Sequence, residues 1–164
     1  MISFKTIFSN LANPIPYDIT GSLRRECIKD VNDVNITIHE QYRKAVIERL
    51  ESIKNRYNIV IKSAAHKLVF SIQVKQVNVN TNISWYGNAN KGLVLVYETG
   101  NIPFNQFILF QLKKKQYTLV GDSVYLKAKL IDIPDEQTLF QLIGYKTIPP
   151  QFRTSNHVSH HWKL

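Results

Sequence analysis

The chain has 164 residues, 21 Lys+Arg against 12 Asp+Glu, a formal charge of +9 and one cysteine. Hydrophobic residues make up 44% and charged ones 20%, which excludes a disordered or collagen-like chain and fits one globular domain. No apolar run reaches the roughly 18 residues a membrane span needs, and the lone Cys27 excludes an internal disulfide framework and fits a reducing compartment.

Residues 1–35 read as an N-terminal arm or entry segment. The first seventeen carry one charge, Lys5, and no acid. Ile7, Phe8 and Leu11 share one face of a short helix that Pro14 stops. A mitochondrial presequence is also acid-poor but Arg-rich, and this stretch has no Arg, so targeting is the lesser alternative to a docking or packed segment. Pro14-Ile15-Pro16-Tyr17 reads as extended, polyproline-like backbone.

Residues 36–143 read as an α+β core. Asn35 to Ile38 alternates as a short strand does. From Glu40 to Tyr57 the apolar positions Tyr42, Val46, Leu50, Ile53 and Tyr57 form one stripe at helical spacing. After Lys67 the period becomes two, with Phe70, Ile72 and Val74 in one register and Val77 and Val79 in the other, and a bulge near Lys75-Gln76 reconciles them. Asn80 to Gly92 reads as a polar, turn-rich loop, and Leu93–Tyr97 and Phe107–Leu112 as short central strands. A strand pair follows around Gly121-Asp122, its second member running from Val124 to Leu130. Asp135 to Ile143 reads as a short helix capped by Asp132 or Asp135. Residues 144–164 read as a C-terminal strap or tail. The expected fold is thus a long amphipathic helix packed on an antiparallel, bulged sheet of four to six strands, with an NTF2-like cone-shaped pocket protein as the structural rival.

Acidic partners are implied by the charge: nucleic acid, an anionic membrane face or an acidic protein. The densest basic run is Lys113-Lys114-Lys115, joined by Lys127 and Lys129. Either these lysines contact phosphates or they only keep the surface soluble and blunt sheet edges. Trp85, Tyr86 and Phe104, placed in loops, suit an interfacial patch, and core packing is their ordinary alternative. His157, His160 and His161 are metal-type ligands without an evident fourth partner, and we expect no metal and no cofactor. Cys27 beside Arg24-Arg25, and a pocket holding His66 or Asp122, are the enzyme alternatives. No Gly-rich phosphate loop or nucleophile elbow is present, and we expect no enzyme.

The stretch Gly121 to Asp132 with Pro134-Asp135-Glu136, and the terminal Ser159-His160-His161-Trp162-Lys163, resemble the late strand, acidic turn and ending of matrix proteins of plant-infecting rhabdoviruses. Pro14, Pro16 and Tyr17 stand where that family often carries a Pro-Pro-x-Tyr recruitment motif, with the second proline displaced. The resemblance implies a basic, self-associating assembly protein that bridges nucleoprotein or nucleic acid to an anionic membrane surface. It also implies a cytoplasmic, peripheral-membrane or virion location. A sequence-independent nucleic-acid-binding module is the alternative.

Overall fold

The computed structural model describes residues 7–8, 13–26, 33–63, 67–74 and 77–164. Its N-terminal lobe comprises β1 (Asp18–Thr20), a one-turn helix α1 (Gly21–Arg24), β2 (Asp33–His39), α2 (Arg43–Tyr57), β3 (Val60–Ser63), β4 (Lys67–Val74) and β5 (Val77–Tyr86). These strands form one sheet in the order β1-β2-β5-β4-β3. The sheet is mixed, because β2 and β5 run parallel while every other pair is antiparallel.

The helical stripe lands where its spacing puts it. Val46, Leu50 and Ile53 of α2 are buried, and Tyr42 and Tyr57 pack against the same cluster. Facing them are Val34, Ile36 and Ile38 of β2 and Leu68, Phe70 and Ile72 of β4, the period-two positions of those strands. Ile7 and Phe8 close this core, and the Ile15 amide donates to the Phe8 carbonyl at 2.8 Å. Leu11 lies outside the described residues.

Two expectations need correction here. The register change after Val74 is two strands rather than one bulged strand, since β4 and β5 pair antiparallel from Val74 opposite Val77. Lys75 and Gln76 themselves lie outside the described residues. Asn80 to Tyr86 belongs to β5 rather than to a loop, because cross-strand partners on both sides outweigh the poor strand propensity of asparagine. The sheet is covered on both faces, by α2 on one and by α1 and the next helix on the other.

The C-terminal lobe comprises α3 (Lys91–Thr99), α4 (Ile102–Lys114), β6 (Thr118–Val120), β7 (Ser123–Leu126), β8 (Lys129–Ile131) and α5 (Glu136–Ile143). Leu93–Tyr97 and Phe107–Leu112 are therefore helical, not strands. A short apolar run looks the same in a buried strand and in a helix buried on most sides, and Leu93 through Val96 are all buried. Leu93 and Val96 join Phe104, Ile108, Leu139 and Phe140 in a second core, while α3 also packs on β1, β2 and β5. Gly92 permits this wedge. A Cβ there would lie 2.0 Å from the Asp135 carbonyl oxygen.

Asp135 caps α5 as expected, its carboxylate accepting from the Thr138 amide at 2.7 Å. Residues 144–164 fold back on the lobe: Lys146 donates to the Trp162 carbonyl, Leu164 to that of Gly144, and Ile148 is buried.

Candidate functional site

The basic residues come together through strand register. Lys113 and Lys114 end α4, where positive charge complements the helix dipole, and Lys115 follows as its cap. Three residues on, β6 begins at Thr118, which pairs with Tyr125, which in turn pairs with Leu130. Lys127 and Lys129 therefore sit at the same end of the small sheet as the end of α4. Val124 to Leu130 is not one strand, because Lys127 and Ala128 form a tight turn with φ of 49° and 63°. All five lysines are exposed, and among the described residues none is in an ion pair. Asp122 sits in the turn at the opposite end, toward the N-terminal lobe.

The aromatic candidates divide. Phe104 is 0% exposed in the second core, so it cannot meet an interface; the helix that carries it turns it inward. Tyr86 is buried, edge-on to His39 with ring centroids 5.2 Å apart. Trp85 is half-buried at the edge of the first core, with the Arg43 guanidinium 5.6 Å from its ring. Pro14 and Pro16 are exposed, but the Tyr17 ring packs on Phe8 at 5.4 Å. Cys27 and His66 lie outside the described residues. His161 hydrogen-bonds through Nδ1 with the Ser159 hydroxyl at 2.8 Å, and its ring lies tilted against Trp162 with centroids 4.4 Å apart, whereas His157 and His160 line a cleft beside α4.

Two features escaped sequence reasoning. The first is an ion cluster that ties the lobes together. Arg153, 0% exposed, donates through both terminal nitrogens to Glu136 at 2.7 and 3.0 Å and through Nε to the Ile148 carbonyl at 2.8 Å. Arg24 of α1 grips the same carboxylate at 2.7 and 2.9 Å and also donates to the Thr99 hydroxyl. Burial alone would raise the pKa of Glu136, but hydrogen bonds from Arg153 and Arg24 outweigh it and hold the carboxyl below its ordinary value. Paired arginine forks of this kind are geometrically demanding and position two elements against each other.

The second is a cleft of about 650 Å³ where α1 and β2 meet α3 and α4, lined among others by Ser22, Arg25, Asn35, Lys67 and Tyr97. Gly21 makes its wall possible. Its φ is +69°, and a Cβ would lie 2.5 Å from the Asn35 side chain. On the parallel β2–β5 pair, Asn82 lies opposite Asn35 and donates to its side-chain oxygen at 3.1 Å. Tyr97 is pushed well above the ordinary tyrosine pKa, first by burial and then by the nearby Asp122 charge, so it stays a neutral phenol.

Residues 94–154 match the family model of the DNA polymerase beta thumb. That span runs from within α3 through α4, the small sheet and α5 to Thr154, and so coincides with most of the C-terminal lobe. Comparison of the chain with curated proteins finds no match.

Proposed function

We propose that the protein is a nucleic-acid-binding module that holds DNA by its phosphates through the lysine end of the C-terminal lobe. One observation carries this reading: the thumb match covers the lobe on which Lys113, Lys114, Lys115, Lys127 and Lys129 converge. Of the two stretches that carry the matrix-protein resemblance, residues 121–136 fall inside this match and residues 159–163 beyond it, and nucleic acid is the partner common to both readings. Phosphate contacts of this kind hold a strand without reading its sequence. The test is fluorescence anisotropy of a labelled duplex across a salt series. Log affinity should fall linearly with log salt, and changing Lys113, Lys114 and Lys115 together to alanine should lower the slope by about 0.9 for each phosphate left without its lysine. A slope unchanged by that substitution moves the interface elsewhere.

A nucleotide in the inter-lobe cleft is the second reading, favoured by the volume of about 650 Å³ and by Ser22, Arg25 and Lys67 on its walls. Phosphoryl transfer there would call for divalent cations held by carboxylates. Among the described residues the carboxylate on its walls is Glu98, which is paired with Lys67 at 3.3 Å, while Asn35 and Asn82 are neutral amides bonded to each other, so the reading stops at binding. A nucleoside triphosphate should raise the melting temperature. A primer lengthened in the presence of magnesium would replace binding with catalysis.

A further inference from the structure

Beside α4 lies a cleft of about 490 Å³ whose far wall comes from residues 156–160, past the end of the thumb match. We infer that it receives an unpaired nucleobase, so that the protein prefers nucleic acid with a single-stranded segment over a blunt duplex. This rests on the nucleic-acid reading above and names the form of the ligand.

The wall on α4 is aromatic. Phe110 is 63% exposed, a large apolar ring left in water at the rim. Behind it Phe107 is buried and fixed edge-on against Tyr145, centroids 5.2 Å apart and planes at 89°. Across the cleft stand the exposed rings of His157 and His160. Every base offers a π face, so such rings accept bases whatever their sequence. Gln106 and Asn156 add amides that can donate to or accept from a base edge, and among the described residues no carboxylate lines the cleft.

The backbone of an entering strand also has somewhere to go. On a helix the residues three and four beyond Phe110 share its side, and these are Lys113 and Lys114. A base seated against Phe110 thus leads its phosphates toward the lysine end of the lobe.

The far wall is held in place. Asn101, which caps α4, donates to the Thr154 carbonyl at 2.8 Å. Val158 and Trp162 pack against the second core, and the chain pairs Tyr145 with Lys163 beyond. The cleft is therefore preformed between a helix and an anchored strap. Its concave, amide-bearing shape suits a flat base better than a lipid surface, which is met by a convex apolar face.

The test uses the full chain and two labelled probes, a blunt duplex and the same duplex with about five unpaired nucleotides, one of them 2-aminopurine. Wild type should bind the extended probe more tightly and quench the 2-aminopurine. Phe110→Ala should weaken the extended probe roughly tenfold, within the range that loss of one base–aromatic stack produces, and leave the blunt duplex within about twofold. Phe110→Tyr should restore both binding and quenching, whereas Phe110→Leu should not. Because the ring is exposed, these variants keep the fold, which circular dichroism checks. Equal loss on both probes, or no loss on either, overturns the inference while the nucleic-acid reading stands. Flotation on anionic vesicles that depends on Phe110, with oligonucleotide binding unchanged, overturns it in favour of a membrane contact. Failure of wild type to bind either probe defeats the underlying reading itself.

Discussion

The two lobes carry nearly the same charge and use it differently. Up to residue 90 there are twelve Lys/Arg against seven Asp/Glu, and from residue 91 on there are nine against five. In the N-terminal lobe much of this charge lies on α2, where Lys44 pairs with Glu48 and Lys54 with Glu51 along the exposed face. Such exposed pairs contribute little to stability. In the C-terminal lobe the acids are drawn inward or to the far end: Glu136 is clamped by two arginines and Asp122 faces the other lobe. The lysines are left together, with no acid paired to them among the described residues. Placement, not total charge, is what singles out one lobe as the surface proposed to bind nucleic acid.

The sharpest way to break that comparison is to collapse the lobe that holds the lysines. Phe104 is fully buried where α4 meets α5, with its ring 6.5 Å from Phe140. Phe104→Ala should destabilise the protein by about 3–5 kcal/mol. Thermal unfolding followed by circular dichroism should show the drop, and DNA binding should be lost at the new, lower midpoint. A loss below about 1 kcal/mol is what an exposed interfacial ring would give, and that outcome would return Phe104 to the surface.

The next effect concerns the join between the lobes. Glu136→Gln leaves Arg153 buried beside a neutral group, and breaking a buried pair in this way costs about 3 kcal/mol. The pH dependence follows from the lowered pKa of Glu136. A carboxyl held below its unfolded value adds stability above the ordinary glutamate pKa of about 4.3, and this contribution is lost as pH falls through the depressed value. The wild-type advantage over Glu136→Gln should therefore be full near neutrality and shrink in acid. Denaturant melts at a series of pH values read this directly. A constant gap from neutral to acid pH would mean that the two arginines do not sense the charge.

Legibility in the sequence followed the same division. The α2 stripe was plain because one side faces the core and the other water, so the period shows. In α3 Leu93 to Val96 are buried on all sides, and periodicity vanishes just where packing is densest. The start of α4 did carry a readable signal: Asn101 before Pro103, a capping side chain followed by a proline in the first turn. The lysines were visible singly, but their convergence depends on the pairing of Thr118 with Tyr125 and of Tyr125 with Leu130. Nothing local announces the grip of Arg24 on Glu136, which lie 112 residues apart. Long-range ion clusters of this kind leave no spacing to read.

The smallest effect compares how three helices end. α2, α4 and α5 each stop at a left-handed residue: Asn58 with φ 50°, Gln116 with φ 65° and Gly144 with φ 83°. Glycine takes this conformation freely and asparagine tolerates it, but other side chains place Cβ against the carbonyl at a cost of about 1–2 kcal/mol. Gln116 is thus the strained ending, and it sits directly after the lysine run. Gln116→Gly should relieve that strain while adding about 0.4–1 kcal/mol of chain entropy to the unfolded state. The net is a gain of about 0.5 kcal/mol, seen as a small upward shift of the unfolding midpoint with the slope unchanged. DNA affinity should stay the same, because the end of α4 and its lysines keep their positions. If affinity falls as stability rises, then the constrained backbone at Gln116 helps to aim Lys113, Lys114 and Lys115, and the strain at the end of α4, which α2 avoids by ending on Asn58, serves binding.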